Sequence, residues 1–168
     1  MEKQDKPENA SLVNLTPIDL DLIERQCELQ GATEKYQIEG MTRAYKEAKT
    51  LSRQPEKLSA MSGDDWLELV DHYAKLIEPE KNQHGYRIVE VRFTNGNRGM
   101  PHNQIGSAME RLFDFYSEGQ IEPIELYREF ETIHPYTDGN GRVGHLLWAV
   151  AEKRQSGKWP EELPPNVF

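Results

Sequence analysis

The chain has 168 residues, with 29 acidic against 20 basic side chains and a net charge of −9. That length suits one domain, and the charge argues against non-specific nucleic-acid binding and a basic membrane-surface helix. Its one cysteine, Cys27, excludes an internal disulfide framework and a cysteine-based zinc site. No apolar run approaches the length of about 18 residues that reads as a membrane span, and none opens the chain, so the expected compartment is reducing and cytoplasmic.

Residues 1–15 are polar and read as a flexible tail; residues 16–168 read as a single domain built mostly of helices. Thr16-Pro17 is an N-cap with proline at the first helical position. Ile18, Leu22 and Leu29 follow at helical spacing, and Gly31 closes that helix. A second helix carries Met41, Ala44, Tyr45, Ala48 and Leu51 on one face, completing an N-terminal pair over 16–52. Ser62 and Asp65 form a capping box ahead of Trp66, Leu69, Val70, Tyr73 and Ile77, and Pro79 stops the helix. Over 85–101 the period changes to two: Val89, Val91 and Phe93 alternate with Ile88, Glu90 and Arg92. With Asn95-Gly96 as the turn, this predicts a β-hairpin.

Helices resume over 102–152. Ile105, Met109, Leu112, Phe113 and Tyr116 make one stripe, ending at Gly119. Pro123 opens the next helix, with Tyr127, Phe130 and Ile133 facing inward. Pro135 ends it, because proline disfavours α geometry in the residue before it. Val143, Leu146, Leu147 and Val150 mark the last helix.

The stretch that carries chemistry is His134-Pro-Tyr-Thr-Asp138-Gly139-Asn140-Gly141-Arg142-Val-Gly-His145. It lies between two helices, so its loop ends at a helix N-terminus, where the first backbone N–H groups lack internal partners and the dipole is positive. Glycines there let a phosphate approach the backbone. Arg142 is placed to fork onto phosphate oxygens, and Asp138 is a hard oxygen ligand suited to Mg²⁺ on a nucleotide. His134 is a base of the right kind to take a proton from a hydroxyl near neutral pH. Gly139 to Gly144 also spells G-x-G-x-x-G, but the dinucleotide fingerprint needs a strand before it, and Leu126 to Ile133 has a helical period. No Walker A pattern is present. His72, His84 and His102 share no metal-ligand spacing and read as structural.

His134 to Arg142 resembles the signature of Fic-domain proteins, H-P-F-x-[DE]-G-N-G-R-x-x-R. Gly85-Tyr86-Arg87, the hairpin and the helix after Pro101 resemble the flap region and the helices leading to that motif. The resemblance spans about Gln30 to Ala151. It implies a Fic-like helical bundle with one β-hairpin flap, and a protein adenylyltransferase that moves AMP from ATP to a Ser, Thr or Tyr hydroxyl of a target protein. In that reading His134 deprotonates the hydroxyl and Asp138 holds Mg²⁺. Gly139, Asn140 and Gly141 form the anion hole, and Arg142 binds phosphate. The flap around Arg92, Phe93, Thr94, Asn95 and Gly96 aligns the target by strand addition. Family members often dimerise, so a homodimer is an expectation.

Two departures from the family pattern matter, beside the conservative Tyr136 at its Phe position. The second arginine of the signature is His145 here, expected on the same site one helical turn past Arg142. Many Fic proteins also carry an inhibitory helix ending in [ST]-x-x-x-E-[GN]. Ile38-Glu39-Gly40 resembles its end, with Lys35 at the Ser/Thr position. On that resemblance Glu39 is a regulatory residue that obstructs the site by pairing with Arg142 or with protonated His145. Removal of AMP from a modified protein, transfer of another phosphate-containing group, and a non-catalytic nucleotide-binding module are the alternative functions.

Overall fold

Local chemistry sets the helix starts. Thr16 accepts from the Asp19 N–H and Asp19 returns a bond to the Thr16 N–H, which opens α1 (Pro17–Leu29). Ser62 and Asp65 do the same for α4 (Gly63–Ile77). The computed structural model describes residues 11–167. It adds α2 (Lys35–Ser52), α3 (Pro55–Ala60), α5 (Ile105–Ser117), α6 (Pro123–Ile133) and α7 (Asn140–Ser156). The short α3, opened by Pro55 and anchored by buried Leu58, has too few apolar positions to show a period. No helix of the described residues is long and apolar enough to cross a membrane.

α7 is the central element. It packs against α6, α2, α4 and α1, and every residue from Arg142 to Ala151 is buried. A helix covered on all sides needs more than one apolar stripe, so Trp148, Ala149 and Ala151 join the four positions expected from the sequence. The expected stripes of α2 and α5 are buried as read, and so is that of α4, Leu69 being partly covered.

α1 departs from its expected face. Ile18 and Leu29 are exposed, and the buried side is Asp19, Leu22, Ile23, Gln26 and Cys27. Asp19 fixes the rotation of the helix, because its carboxylate takes the Tyr45 hydroxyl at 2.8 Å and the Lys49 ammonium at 2.6 Å. Of the tail expected over 1–15, residues 1–10 lie outside the described residues. Val13 is buried, and its N–H donates to Thr50 Oγ1 at 3.0 Å.

The expected β-hairpin is also corrected. No strand forms among the described residues, and the segment holds one isolated antiparallel bridge, Arg92 with Arg98. Phe93 N–H bonds to the Asn97 carbonyl and Gly99 N–H to the Val91 carbonyl, flanking that single pair. The turn spans Thr94, Asn95 and Gly96, with positive φ at Gly96 alone, so it is a three-residue loop and not a two-residue Asn-Gly turn. A two-stranded ribbon is marginal by itself. Here its first arm is also drawn off the ladder, because the Val89 carbonyl accepts from Arg87 and the Glu90 carboxylate holds His102. Ile88 and Val89 stay exposed as a result.

Gly40 explains how closely α2 crosses α4. A Cβ there would overlap the Leu76 carbonyl oxygen and lie 3.2 Å from its carbon. Backbone cannot yield as a side-chain tip can, so Gly40→Ala lowers stability by about 3 kcal/mol. Urea denaturation measures this, and an unchanged midpoint would refute the packing argument.

Candidate active site

α6 ends at Ile133, and His134 caps it in the left-handed region, at φ 51° and ψ 61°. It is the one non-glycine described residue with positive φ, a conformation costing on the order of 1 kcal/mol that persists where the surroundings impose it. Its N–H bonds to the Phe130 carbonyl at 3.0 Å, and its own carbonyl accepts from Arg87 Nε at 2.7 Å. The ring lies under the flap, edge-on to Phe93 with centroids 5.3 Å apart. Its Nδ1 is buried with no hydrogen-bond partner among the described residues. Burial and the nearby Arg87 guanidinium push its pKa below the usual value, against the Asp138 carboxylate and the Glu131 carbonyl. The ring is therefore neutral at pH 7, as a base must be.

The loop then folds back onto α7. The Asn140 side chain bonds to both backbone groups of Tyr136, at 2.9 and 2.8 Å. Asn140 thus braces the loop with its amide and offers an anion only its backbone. Gly139 sits at φ 82°, where a Cβ would lie 2.9 Å from Ile77 Cγ2, so only glycine fits. The first bond of α7 runs from the Val143 N–H to the Gly139 carbonyl. The N–H groups of Asn140, Gly141 and Arg142 therefore remain as the expected anion-binding end of the helix. Over it lies the Gln30 amide, 2.6 Å from where a Cβ on Gly141 would stand.

Asp138 is half-buried. Burial alone would raise its pKa, but the Lys81 ammonium at 2.6 Å, the Gly139 N–H at 2.8 Å and the Arg142 charge hold it below the usual value. It is ionised, and a cation already lies on its Oδ2. Asn82, fully buried, fixes the same loop by donating to the Asp138 carbonyl at 2.8 Å and to the Ala74 carbonyl at 3.1 Å.

Arg142 is fully buried. Its NH2 donates to Glu78 Oε1 at 2.8 Å and lies 3.5 Å from Asp138 Oδ1, while Nε and NH1 have no partner among the described residues. Glu78 is buried too and accepts from Gln37 Nε2 at 2.7 Å. A buried guanidinium with N–H groups to spare is unfinished without an anion.

The structure therefore brings His134, Asp138, Gly139, Asn140, Gly141 and Arg142 to one end of α7, with the flap against the His134 ring. It does not bring Glu39 to them. Glu39 is exposed, 3.7 Å from Lys35 on its own helix, and the carboxylate on Arg142 is Glu78. His145 is 1% exposed and packs edge-on against Tyr45. Burial pushes its pKa down to about 4, so it carries no charge at neutral pH. Sequence reading missed Gln30, Glu78, Lys81, Asn82 and Arg87. Arg87 stands out in the sequence only within Gly85-Tyr86-Arg87, with no role of its own, and Glu78 left a trace, since a carboxylate at a helix C-terminus opposes the dipole and calls for a cation.

The family model described as Fic/DOC family matches residues 62–151, more than half of the chain. The chain belongs to the Fic/DOC family. No curated protein matches it. The Fic match runs from the N-cap of α4 through most of α7, so it holds the flap segment and every loop residue named above. α1 and α2, with Gln30, Gln37 and Glu39, lie outside it. The helical fold fits a Fic domain, and the family transfers nucleotide-derived groups onto proteins.

Proposed function

We propose that this Fic protein transfers AMP from ATP to a Ser, Thr or Tyr hydroxyl of a target protein. The observation that carries this reading is the convergence at the N-terminus of α7. A neutral His134, an ionised Asp138 and three backbone N–H groups with no partner among the described residues meet there beside a buried Arg142 whose Nε and NH1 also lack one. His134 takes the proton as the hydroxyl oxygen bonds to the α-phosphorus. The bond from that phosphorus to the bridging oxygen breaks, and pyrophosphate leaves. Positioning and charge neutralisation are what such a transfer needs most. Asp138 suits Mg²⁺, being an ionised carboxylate that already attracts a cation, and the ion would neutralise phosphate charge there. The target docks along the flap over Arg92 to Gly96, where all but the half-buried Phe93 are exposed. Glu39 lies apart from these groups, exposed and 3.7 Å from Lys35, and its inhibitory role stays a separate proposal.

The test is label transfer with Mg²⁺ in a lysate of the source cells. Label from α-³²P-ATP appears on protein, and label from γ-³²P-ATP does not. Label from γ-³²P-ATP with none from α-³²P-ATP would replace adenylyl transfer with phosphoryl transfer. Lys81→Ala removes the ammonium that competes for Asp138, so half-maximal transfer needs about threefold less Mg²⁺, the modest effect of a half-exposed pair. A Mg²⁺ titration of wild type and variant reads this, and an unchanged midpoint removes Lys81 from the metal's surroundings.

A further inference from the structure

Arg87 has no carboxylate partner among the described residues, yet it is only 2% exposed. Its guanidinium is satisfied by carbonyls alone. Nε donates to His134 at 2.7 Å, NH1 to Val89 at 2.8 Å, and NH2 to Met100 at 2.6 Å and to Ile133 at 3.3 Å. Its backbone N–H donates to the Pro135 carbonyl at 2.9 Å. Ile133 and His134 are the terminal carbonyls of α6, which lack intrahelical partners and carry the negative end of the dipole. That, with the Glu90 carboxylate attracting it from farther off, is why a buried cation is stable there without a direct ion pair. Val89 and Met100 lie on the two sides of the flap.

We propose that Arg87 is a positioning residue that fixes the left-handed His134 and ties the flap above it to the end of α6. The proposal rests on the adenylyl-transfer reading of His134. Four of the five guanidinium N–H groups are used by these carbonyls, so Arg87 is not a phosphate ligand in waiting. Its two halves are linked. The bond to the His134 carbonyl holds a backbone that would otherwise relax from φ 51°, and the bonds to Val89 and Met100 hold the arms that carry Phe93 over the ring.

Charge gives a readout that packing alone would not move. His134 faces the Arg87 guanidinium from the flap entry, the Asp138 carboxylate from the motif loop and the Glu131 carbonyl from α6, with the uncharged Phe93 ring beside it. The full chain is made as wild type, Arg87→Gln and Arg87→Lys, with His134→Asn to assign the imidazole signals. In folded Arg87→Gln the NMR titration of His134 moves up, and AMP transfer falls about a hundredfold from lost alignment. Arg87→Lys keeps the charge with fewer donors, so His134 titrates near its wild-type value and part of the transfer returns. Arg87→Gln with wild-type titration and transfer would overturn the proposal. If Arg87→Gln does not fold, Arg87→Lys decides: partial loss of transfer supports the proposal, and full transfer overturns it. If wild type transfers no AMP, the adenylyl-transfer reading falls while the titration still settles the role of Arg87.

Discussion

His134→Ala transfers AMP about a thousandfold more slowly than wild type, the middle of the range for loss of a general base. The ring has no other evident structural duty, since its Nδ1 holds no partner among the described residues and its one ring contact is the edge of Phe93. The backbone complicates alanine, because φ 51° is strained for a side chain that cannot bond locally. Asparagine tolerates the left-handed region better, so His134→Asn should lose as much transfer while melting nearer to wild type. Agreement between the two assigns the loss to the base and not to a relaxed loop. Binding of ATP, measured by calorimetry, stays within a few-fold, since the phosphate-facing groups are on α7. The wild-type rate rises with pH through the lowered His134 pKa and is level above the ordinary value of 6.5. A His134→Asn protein retaining a tenth or more of wild-type transfer would remove His134 from the chemistry.

Local signals carried much of this structure. The N-cap at Thr16, the capping box at Ser62 and the apolar stripes of α2, α4 and α5 are written within a few turns of chain, and the residues from His134 to Arg142 form one loop and the first turn of α7. What escaped reading depends on contacts far apart in sequence. Glu78 meets Arg142 across 64 residues and Lys81 meets Asp138 across 57, and no spacing rule joins them. The rotation of α1 turns on Asp19 reaching Lys49, a polar anchor that an apolar pattern does not register. The flap alternates as a strand does, but period two states a preference that needs a partner strand. The next bonded pair would set Val89 against Pro101, which has no N–H to give, and Arg87 takes the Val89 carbonyl instead. His145 falls at the signature's second arginine, and position alone suggested a phosphate contact. Its burial against Tyr45 could be seen only once α2 was packed on α7.

Two buried groups near the motif give the stability a pH dependence that single variants unmask. Glu131, on α6, is buried over Gly144 with Oε1 unpartnered among the described residues, and burial raises its pKa from 4.5 to about 7. Between those values the folded chain holds a proton that the unfolded chain releases, so stability falls as pH rises, by about 3 kcal/mol in all. His145 has the opposite sign. Burial lowers its pKa from 6.5 to about 4, and in that window the unfolded chain holds the extra proton. Stability therefore rises with pH, again by about 3 kcal/mol. The windows overlap from about pH 4.5 to 6.5, where the two slopes nearly cancel. Glu131→Gln leaves His145 unopposed, and the protein loses about 3 kcal/mol between pH 6.5 and 4 relative to wild type. His145→Gln leaves Glu131 unopposed, and the protein gains about as much between pH 7 and 4.5. Urea unfolding across this range measures both, and groups such as Asp19 and Asp138 drop out because all three proteins share them. Parallel pH curves for wild type and both variants would mean that neither side chain is buried as the fold places it.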